Sequence, residues 1–297
     1  MSGGKVEVVR AGALTTIQDL GRFGHASLGV PRSGALDQPA HRLANRLVGN
    51  PADAATLETT LTGVAVRTTQ AAIVAVTGAP APVRVNGRPA AWAGAVHLPA
   101  GAVLEVGTVT SGLRSYVAIS GGVAVPPVLG SRSTDLLSGL GPAPLRGGET
   151  LPLGEIVGSP LHADTVVWQG PPQELVLPVL LGARDDWFTT TAVNTLATAR
   201  FRVSPSSNRI ALRMDGPTLE RAVHLEMPSE GMVVGAVQVP PDGKPVLFLA
   251  DCPTTGGYPV IGVVPENRLP AAAQAVPGLQ VRFVPARRRD VLQRAVN

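Results

Sequence analysis

At 297 residues the chain holds one large or two ordinary domains, and with 44% hydrophobic but only 3% aromatic residues its core must be filled by Val, Leu and Ala. The net charge of +4 comes from dispersed arginines with few aromatics beside them, so no nucleic-acid partner is expected, and Arg287-Arg288-Arg289 reads as a solvated end. A single cysteine, Cys252, excludes an internal disulfide, and the lack of a leader or an apolar run near ~18 residues predicts a cytoplasmic protein with no membrane partner.

Gly 34 and Pro 28 are spread between short apolar runs, which favours a turn-rich, mainly β fold over disorder. KVEVVR (5–10) alternates and predicts a half-buried strand. The stretch Leu14–Glu58 is dense in polar and turn-forming residues, and its first half carries neither a 3.6 nor a 2.0 apolar period. Thr15–Ser33 is therefore expected to be a looped approach kept for surface chemistry. Asp37 can cap a helix with Pro39 in its first turn, and Ala40, Leu43, Ala44, Leu47 and Val48 recur at helical spacing. Gly49 stops that helix, and Asn50-Pro51 predicts the cap and first turn of a shorter one.

Short β-rich runs follow at 64–68, 72–77 and 83–85, then a tight hairpin turn at Asn86-Gly87, then strands at 102–106 and 115–119. Leu98, Gly101, Leu104 and Gly107 share their spacing with Leu145, Gly148, Leu151 and Gly154, which reads as one turn-then-strand device used twice. The loop-heavy segment 126–158 ends in the expected domain boundary, near 155–163, giving domains 1–158 and 159–297. The second half opens with VVWQG (166–170), followed by a helix from Trp187 to about Ala197. Strands are then predicted at 199–203, 210–214, 232–239 and 245–251, and in VIGVV and LQVRFV.

His25, His41, His97, His162 and His224 have no metal-ligand spacing, so no metal is expected. Cys252 has no local base to activate it and reads as a small residue at a strand end. Gly121-Gly122 and Gly256-Gly257 either present backbone N–H groups to an anion or form tight strand-end turns. Charged residues in polar loops are the better candidates. Gln18, Asp19 and Arg22 form one knot and Arg132 with Ser133 another; Arg209, Glu230 and Asp251 follow or end polar loops and strands. Arginine offers a planar fork to a carboxylate, and a carboxylate can accept an amide N–H or move a proton. The plainer reading of each is a cap or a local ion pair.

TTIQDLGRFGH, LGVPRSGALD, RLANRLVGNP and the following LET occur in the order seen in the biotin-dependent carboxyltransferase family, which the chain resembles. That family includes the C subunit of bacterial 5-oxoprolinase and the matching regions of urea carboxylase and allophanate-hydrolase-type proteins. SYVAISGG, PPVLGSRSTDL, RDDWF, FRVSPSSNRIALRMDGP, PSEGMVVGAVQVPPDGKPVLFLAD and TTGGYPVIGVV extend the resemblance through the whole chain.

The resemblance implies two cyclophilin-like β-barrels with a few short helices. It also implies a homologous B subunit and a separate A subunit, with which ATP-dependent cleavage of 5-oxoproline to glutamate would take place, the chain being silent alone. A rival within the family is carboxyl transfer from biotin to urea or a related small amide. The chain has no Met-Lys-Met for biotin attachment, so biotin would arrive on a separate carrier, and no cofactor bound by the chain itself is expected. A rival of another class is a non-enzymatic antagonist of a kinase-inhibitor protein. The expected site for a small cyclic amide or urea-like molecule comprises Asp251 and Asp19 as acid/base groups. Binding residues are Gln18, Arg22, Ser33, Gly34, Asp37, Gly121, Gly122, Arg132, Arg209, Glu230, Thr254, Thr255, Gly256, Gly257 and Tyr258, with Arg209 the carboxylate-binding candidate. One position departs from the family pattern. Where Gln usually precedes Thr-Thr-Gly-Gly-Tyr stands Pro253, with neither amide side chain nor N–H, which puts a substrate or biotin contact there in question.

Overall fold

Alternating side chains and glycine-bearing turns build two units in this computed structural model, which describes residues 4–161, 166 and 170–286. His162, Arg287-Arg288-Arg289 and residues 167–169 of VVWQG (166–170) lie outside the described residues. One unit comprises Met1–Phe23 and Ser33–Pro171, the other Gly24–Arg32 and Pro172–Asn297. The fold is mostly β with short helices, in two barrel-like domains. No helix among the described residues is long and apolar enough to cross a membrane.

The first unit runs β1 (Lys5–Arg10), β2 (Leu14–Gln18), α1 (Gln38–Leu47), β3 (Thr56–Thr60), β4 (Ala65–Thr68), β5 (Ala72–Gly78), β6 (Val83–Val85) and β7 (Arg88–Ala90). It continues with β8 (Val96–Leu98), β9 (Val103–Val106), β10 (Arg114–Ile119) and β11 (Thr150–Pro152). Its strands form a six-stranded sheet, β11-β1-β4-β9-β6-β7, and a five-stranded one, β2-β3-β10-β5-β8. Val6, Val8, Val66, Leu104 and Val106 from the first sheet meet Leu57, Val74, Val76, Val117 and Ile119 from the second in one core.

Strands β5 and β10 are buried on both faces. Val74, Val76, Val117 and Ile119 point into that core, while Ala75, Tyr116 and Ala118 lie under α1 against Ala44, Leu47 and Val48. Asp37 caps α1 by accepting a hydrogen bond from Ala40 N at 3.1 Å. The buried face of α1 is His41, Ala44, Asn45 and Leu47, so two polar residues share the stripe that apolar spacing alone assigns to Ala40 and Leu43.

The Leu98 and Leu145 repeats both fold as a turn with positive φ, at Gly101 and Gly148, that returns a strand to the core. Two expectations are corrected. Leu14–Gln18 is a strand and not part of a loop, because Thr15, Thr16, Ile17 and Gln18 are all buried and its alternation is hidden by polar residues on one face. Asn50-Pro51 starts a turn and no helix, since the Asn50 side chain is used across the fold: its Oδ1 accepts from Gly121 N at 2.8 Å.

The second unit closes into a barrel in the order β12-β19-β16-β17-β14-β13-β20. The strands are β12 (Glu174–Leu181), β13 (Phe201–Val203), β14 (Ala211–Asp215), β15 (Glu230–Gly231), β16 (Ala236–Gln238), β17 (Val246–Phe248), β18 (Thr255–Gly256), β19 (Val260–Val263) and β20 (Gln280–Pro285). Two short helices, α2 (Thr190–Thr198) and α3 (Leu269–Ala273), accompany them. Strand β12 closes the barrel by parallel pairing with β20 from Glu174↔Gln280 to Val179↔Pro285, and it was not anticipated because Pro178 interrupts its apolar run. Helix α2 starts later than expected, after a 3₁₀ turn at Asp185–Trp187, since Thr189 supplies the cap by accepting from Ala192 N. The strand expected over 232–239 is confined to Ala236–Gln238, because Gly235 at φ 89° breaks the extended backbone before it.

Candidate functional site

In the first unit, Asp19 is the hub of the polar loops. Its Oδ1 accepts from Gly21 N at 2.8 Å, Ser131 Oγ at 2.6 Å and Ser133 Oγ at 2.5 Å, and its Oδ2 accepts from Arg132 N at 2.6 Å. The Asp19 carbonyl also accepts from Ala35 N at 2.9 Å, which draws in Ser33 and Gly34. Gly34 sits at φ 94° with its Cα against the Leu20–Gly21 peptide, where a Cβ would come within 2.8 Å of Leu20 C. Ser33 Oγ donates to Asp135 Oδ2 at 2.8 Å. Arg22 is buried and directs its guanidinium at main-chain carbonyls, with Nε on Val128 O at 3.2 Å and Nη2 on Ser133 O. Arg132 Nε donates to Val125 O at 2.8 Å. Gln18, Asp19, Arg22, Ser33, Gly34 and Arg132 are thus brought together, chiefly by contacts between the 18–35 and 125–135 segments.

A second buried set lies beneath α1. Tyr116 Oη accepts from Asp37 N at 2.7 Å and donates to Glu58 Oε2 at 2.8 Å, which also accepts from Leu36 N at 3.0 Å; Glu58 Oε1 faces Arg114 Nε at 3.7 Å. Burial, then the Glu58 and Asp37 carboxylates, pushes the Tyr116 phenol well above its ordinary value, so it stays a donor. His41 lies between two polar partners, with Nδ1 2.9 Å from Thr56 Oγ1 and Nε2 3.3 Å from Asn45 Nδ2. Desolvation lowers its pKa to about 4, leaving it neutral. Asn45 accepts in turn from Asn50 Nδ2 at 3.1 Å, and Asn50 holds Gly121 N. Gly122 N donates to Ile119 O at 2.8 Å, so the Gly121-Gly122 amides close a strand-end turn and are not aimed at an anion. The Gln18 amide donates to Thr134 O at 3.0 Å and Thr16 Oγ1 at 3.1 Å, while its Oε1 and the Thr134 hydroxyl are buried without a hydrogen-bond partner.

In the second unit, Arg209 and Asp251 face each other as a fork pair, Nε to Oδ2 and Nη2 to Oδ1, both at 3.0 Å and both fully buried. The ribbon β15–β18 sets Glu230 beside Gly256 and Gly231 beside Thr255, and Thr254 O accepts from Met232 N at 2.8 Å. Glu230 is held by Arg184. Glu230, Gly231, Met232 and Gly256 line one of two cavities that share Tyr258 and Met227, and Arg209 and Asp251 line neither. The smaller, about 200 Å³, is lined by Met232, Val233, Val260 and Val263 together with Glu230 and Gly256. The larger is an open cleft of about 1080 Å³ lined by Thr191 and Thr195 of α2, Thr218, Arg221, His224 and, from the expected set, Gly257 and Tyr258. Arg221 and the α2 hydroxyls were not anticipated, although the i, i+4 threonines Thr191 and Thr195 form a one-sided polar stripe that carries the signal. No group of His, Cys, Asp and Glu among the described residues is arranged to hold a metal ion.

Two barrel-like β domains, each with its own loop-built polar cluster, define a family. Residues 28–285 match the family described as carboxyltransferase domain, subdomain A and B, and the chain belongs to it. It is 36% identical over 295 residues to the C subunit of 5-oxoprolinase from Escherichia coli, covering 97% of this chain and 93% of that protein. It is 33% identical over 310 residues to urea amidolyase of Lachancea kluyveri, covering 94% of this chain and only 17% of that protein. Among solved structures, the K. lactis urea amidolyase superposes with a TM-score of 0.87 at 30% identity, over 97% of this chain and 19% of that one. The Kluyveromyces lactis urea carboxylase gives 0.85 at 30% identity, over 97% and 28%.

Proposed function

We propose that the chain is the C subunit of a 5-oxoprolinase-type assembly, in which 5-oxoproline is cleaved to glutamate at the expense of ATP with a homologous B subunit and a separate A subunit. The observation that carries this reading is the 36% identity to a 5-oxoprolinase C subunit, over 93% of that protein. The open cleft supports it chemically, since hydroxyls, an arginine and backbone at Gly257 are the donors that a small cyclic amide acid would meet. Acid or base work by Asp251 requires its pairing with Arg209 to loosen in the assembly, because the guanidinium occupies both carboxylate oxygens. Coexpression with the A and B subunits, followed by measurement of ATP-dependent glutamate release from 5-oxoproline, tests the reading. An intact three-subunit assembly that releases none would overturn it, and release that does not need this chain would remove its enzymatic part.

A second reading, carboxyl transfer to urea or a related amide, draws on the family description and on the urea amidolyase and urea carboxylase relatives. When bound on a separate carrier, biotin would supply a transferable carboxyl group. The residues around Thr254–Tyr258 do not fit its ureido ring: Pro253 has no N–H, and the Gln238 amide donates to Tyr258 O at 3.0 Å. No biotin-dependent step is assigned to these residues. Avidin-sensitive carbon dioxide transfer by the assembly would favour this second reading.

A further inference from the structure

Arg221 stands in the cleft of the second unit with its charge unanswered. Its backbone is clamped at the start of α2, where Thr189 N donates to Glu220 O at 3.2 Å and Ala222 N to Trp187 O at 2.8 Å. Its guanidinium lies over the Tyr258 ring, 5.7 Å from the centroid, and Nη2 donates to Val239 O at 2.5 Å. Nε is removed from water and has no acceptor. Among the described residues Arg221 makes no ion pair. A guanidinium fixed by an aromatic face and one carbonyl, with an N–H still to be met, is a preformed half of a charge-assisted contact.

The other charged groups on the cleft decide which anion suits it. Glu220, Glu226 and Asp242 line it and are exposed, as is His224. Solvent screens these carboxylates at the range of a small ligand, but together they oppose a multiply charged phosphate. The α2 hydroxyls of Thr191 and Thr195, which also line the cleft, can donate to or accept from a neutral amide. Arg209, by contrast, is already occupied by Asp251.

We propose that Arg221 binds the carboxylate of a small, singly charged acid in this cleft and sets the preference for an acid over its neutral amide analogue. This rests on the hydrolase reading only for the identity of the acid, 5-oxoproline. Tyr258 holds the guanidinium in place by stacking, and the threonines of α2 receive the uncharged end of the ligand.

The test is calorimetric or ligand-observed NMR titration of the full chain with 5-oxoproline and with 2-pyrrolidinone, the same lactam without the carboxylate. The wild type is expected to bind the acid at least about tenfold more tightly, a gap of about 1.4 kcal/mol. Arg221→Gln is expected to bring both ligands to similar, weak affinity. Equal binding of acid and lactam by the wild type overturns the proposal without recourse to any variant, and so does the absence of acid binding. A preference that survives Arg221→Gln in a folded variant overturns it as well. In the three-subunit assembly, turnover with an unchanged KM in Arg221→Gln would defeat the Arg221 assignment and leave the hydrolase reading intact. Acid binding through Arg221 with no turnover would do the reverse.

Discussion

Arg209 and Asp251 hold each other through two parallel hydrogen bonds of 3.0 Å while 1% and 0% exposed, which makes them a single electrostatic object within the second barrel. Removing one partner strands the other charge in a medium that cannot solvate it. Arg209→Ala or Asp251→Ala is therefore expected to destabilise by about 3–5 kcal/mol. The double replacement Arg209→Met with Asp251→Leu should recover most of that loss, because neither charge remains. Urea denaturation of the three variants checks this, and a loss below about 1 kcal/mol in both single variants would mean the pair is not a structural unit.

Asp19 predicts a different kind of failure. Asp19→Ala leaves the Gly21 and Arg132 amides and the Ser131 and Ser133 hydroxyls without their acceptor. With about 1–3 kcal/mol for each buried group left unmet, a loss of at least about 3 kcal/mol is expected. Limited proteolysis should cut the variant first near 131–133. A variant that stays as stable and protease-resistant as the wild type would instead leave Asp19 available for chemistry.

His41 makes stability depend on pH. Its folded pKa, lowered by burial to about 4 from 6.5, means the unfolded chain binds the proton more tightly. The stability from neutral His41 is therefore complete above about 6.5 and is lost as pH falls toward about 4, amounting to about 3 kcal/mol. Denaturation midpoints measured through that window should fall in the wild type, and His41→Gln should flatten the slope. An identical slope in both proteins would assign the acid sensitivity to other groups.

Gly121 is a packing residue on this structure. At φ 90° a Cβ there would lie 2.3 Å from Gly154 O, and its amide is already given to Asn50 Oδ1. Gly121→Ala should lower stability by at least about 1–2 kcal/mol from the backbone conformation alone, with the clash in addition. Thermal unfolding measures the loss. An unchanged midpoint would show that the turn has room to shift and would reopen an anion-binding role for these amides.

Local rules account for the Asp37 cap, the Asn86-Gly87 hairpin and the paired Leu98 and Leu145 turns, all of which stand in the structure as the sequence predicts them. Strand β2 and the polar stripe of α1 were not legible, because Thr16, Gln18, His41 and Asn45 are buried while hydrogen-bonded to other polar groups, and apolar periodicity carries no trace of that. Arg209 and Asp251 stand out in the motifs as polar residues, yet nothing in one dimension says that two such residues 42 positions apart face each other. Arg221 had the opposite problem, since an arginine in an irregular loop looks like any other until Tyr258 is seen beneath it.

The sequence by itself determined the β-rich class, the main turns, the first helix and the family, because each is written in residue spacing or in runs of neighbouring residues. Only the tertiary structure decided which polar groups are used up and which still have an N–H to give. Hydrogen bonds and ion pairs are settled by distance in space, and a buried donor's chemistry depends on whether an acceptor from a remote strand has already reached it.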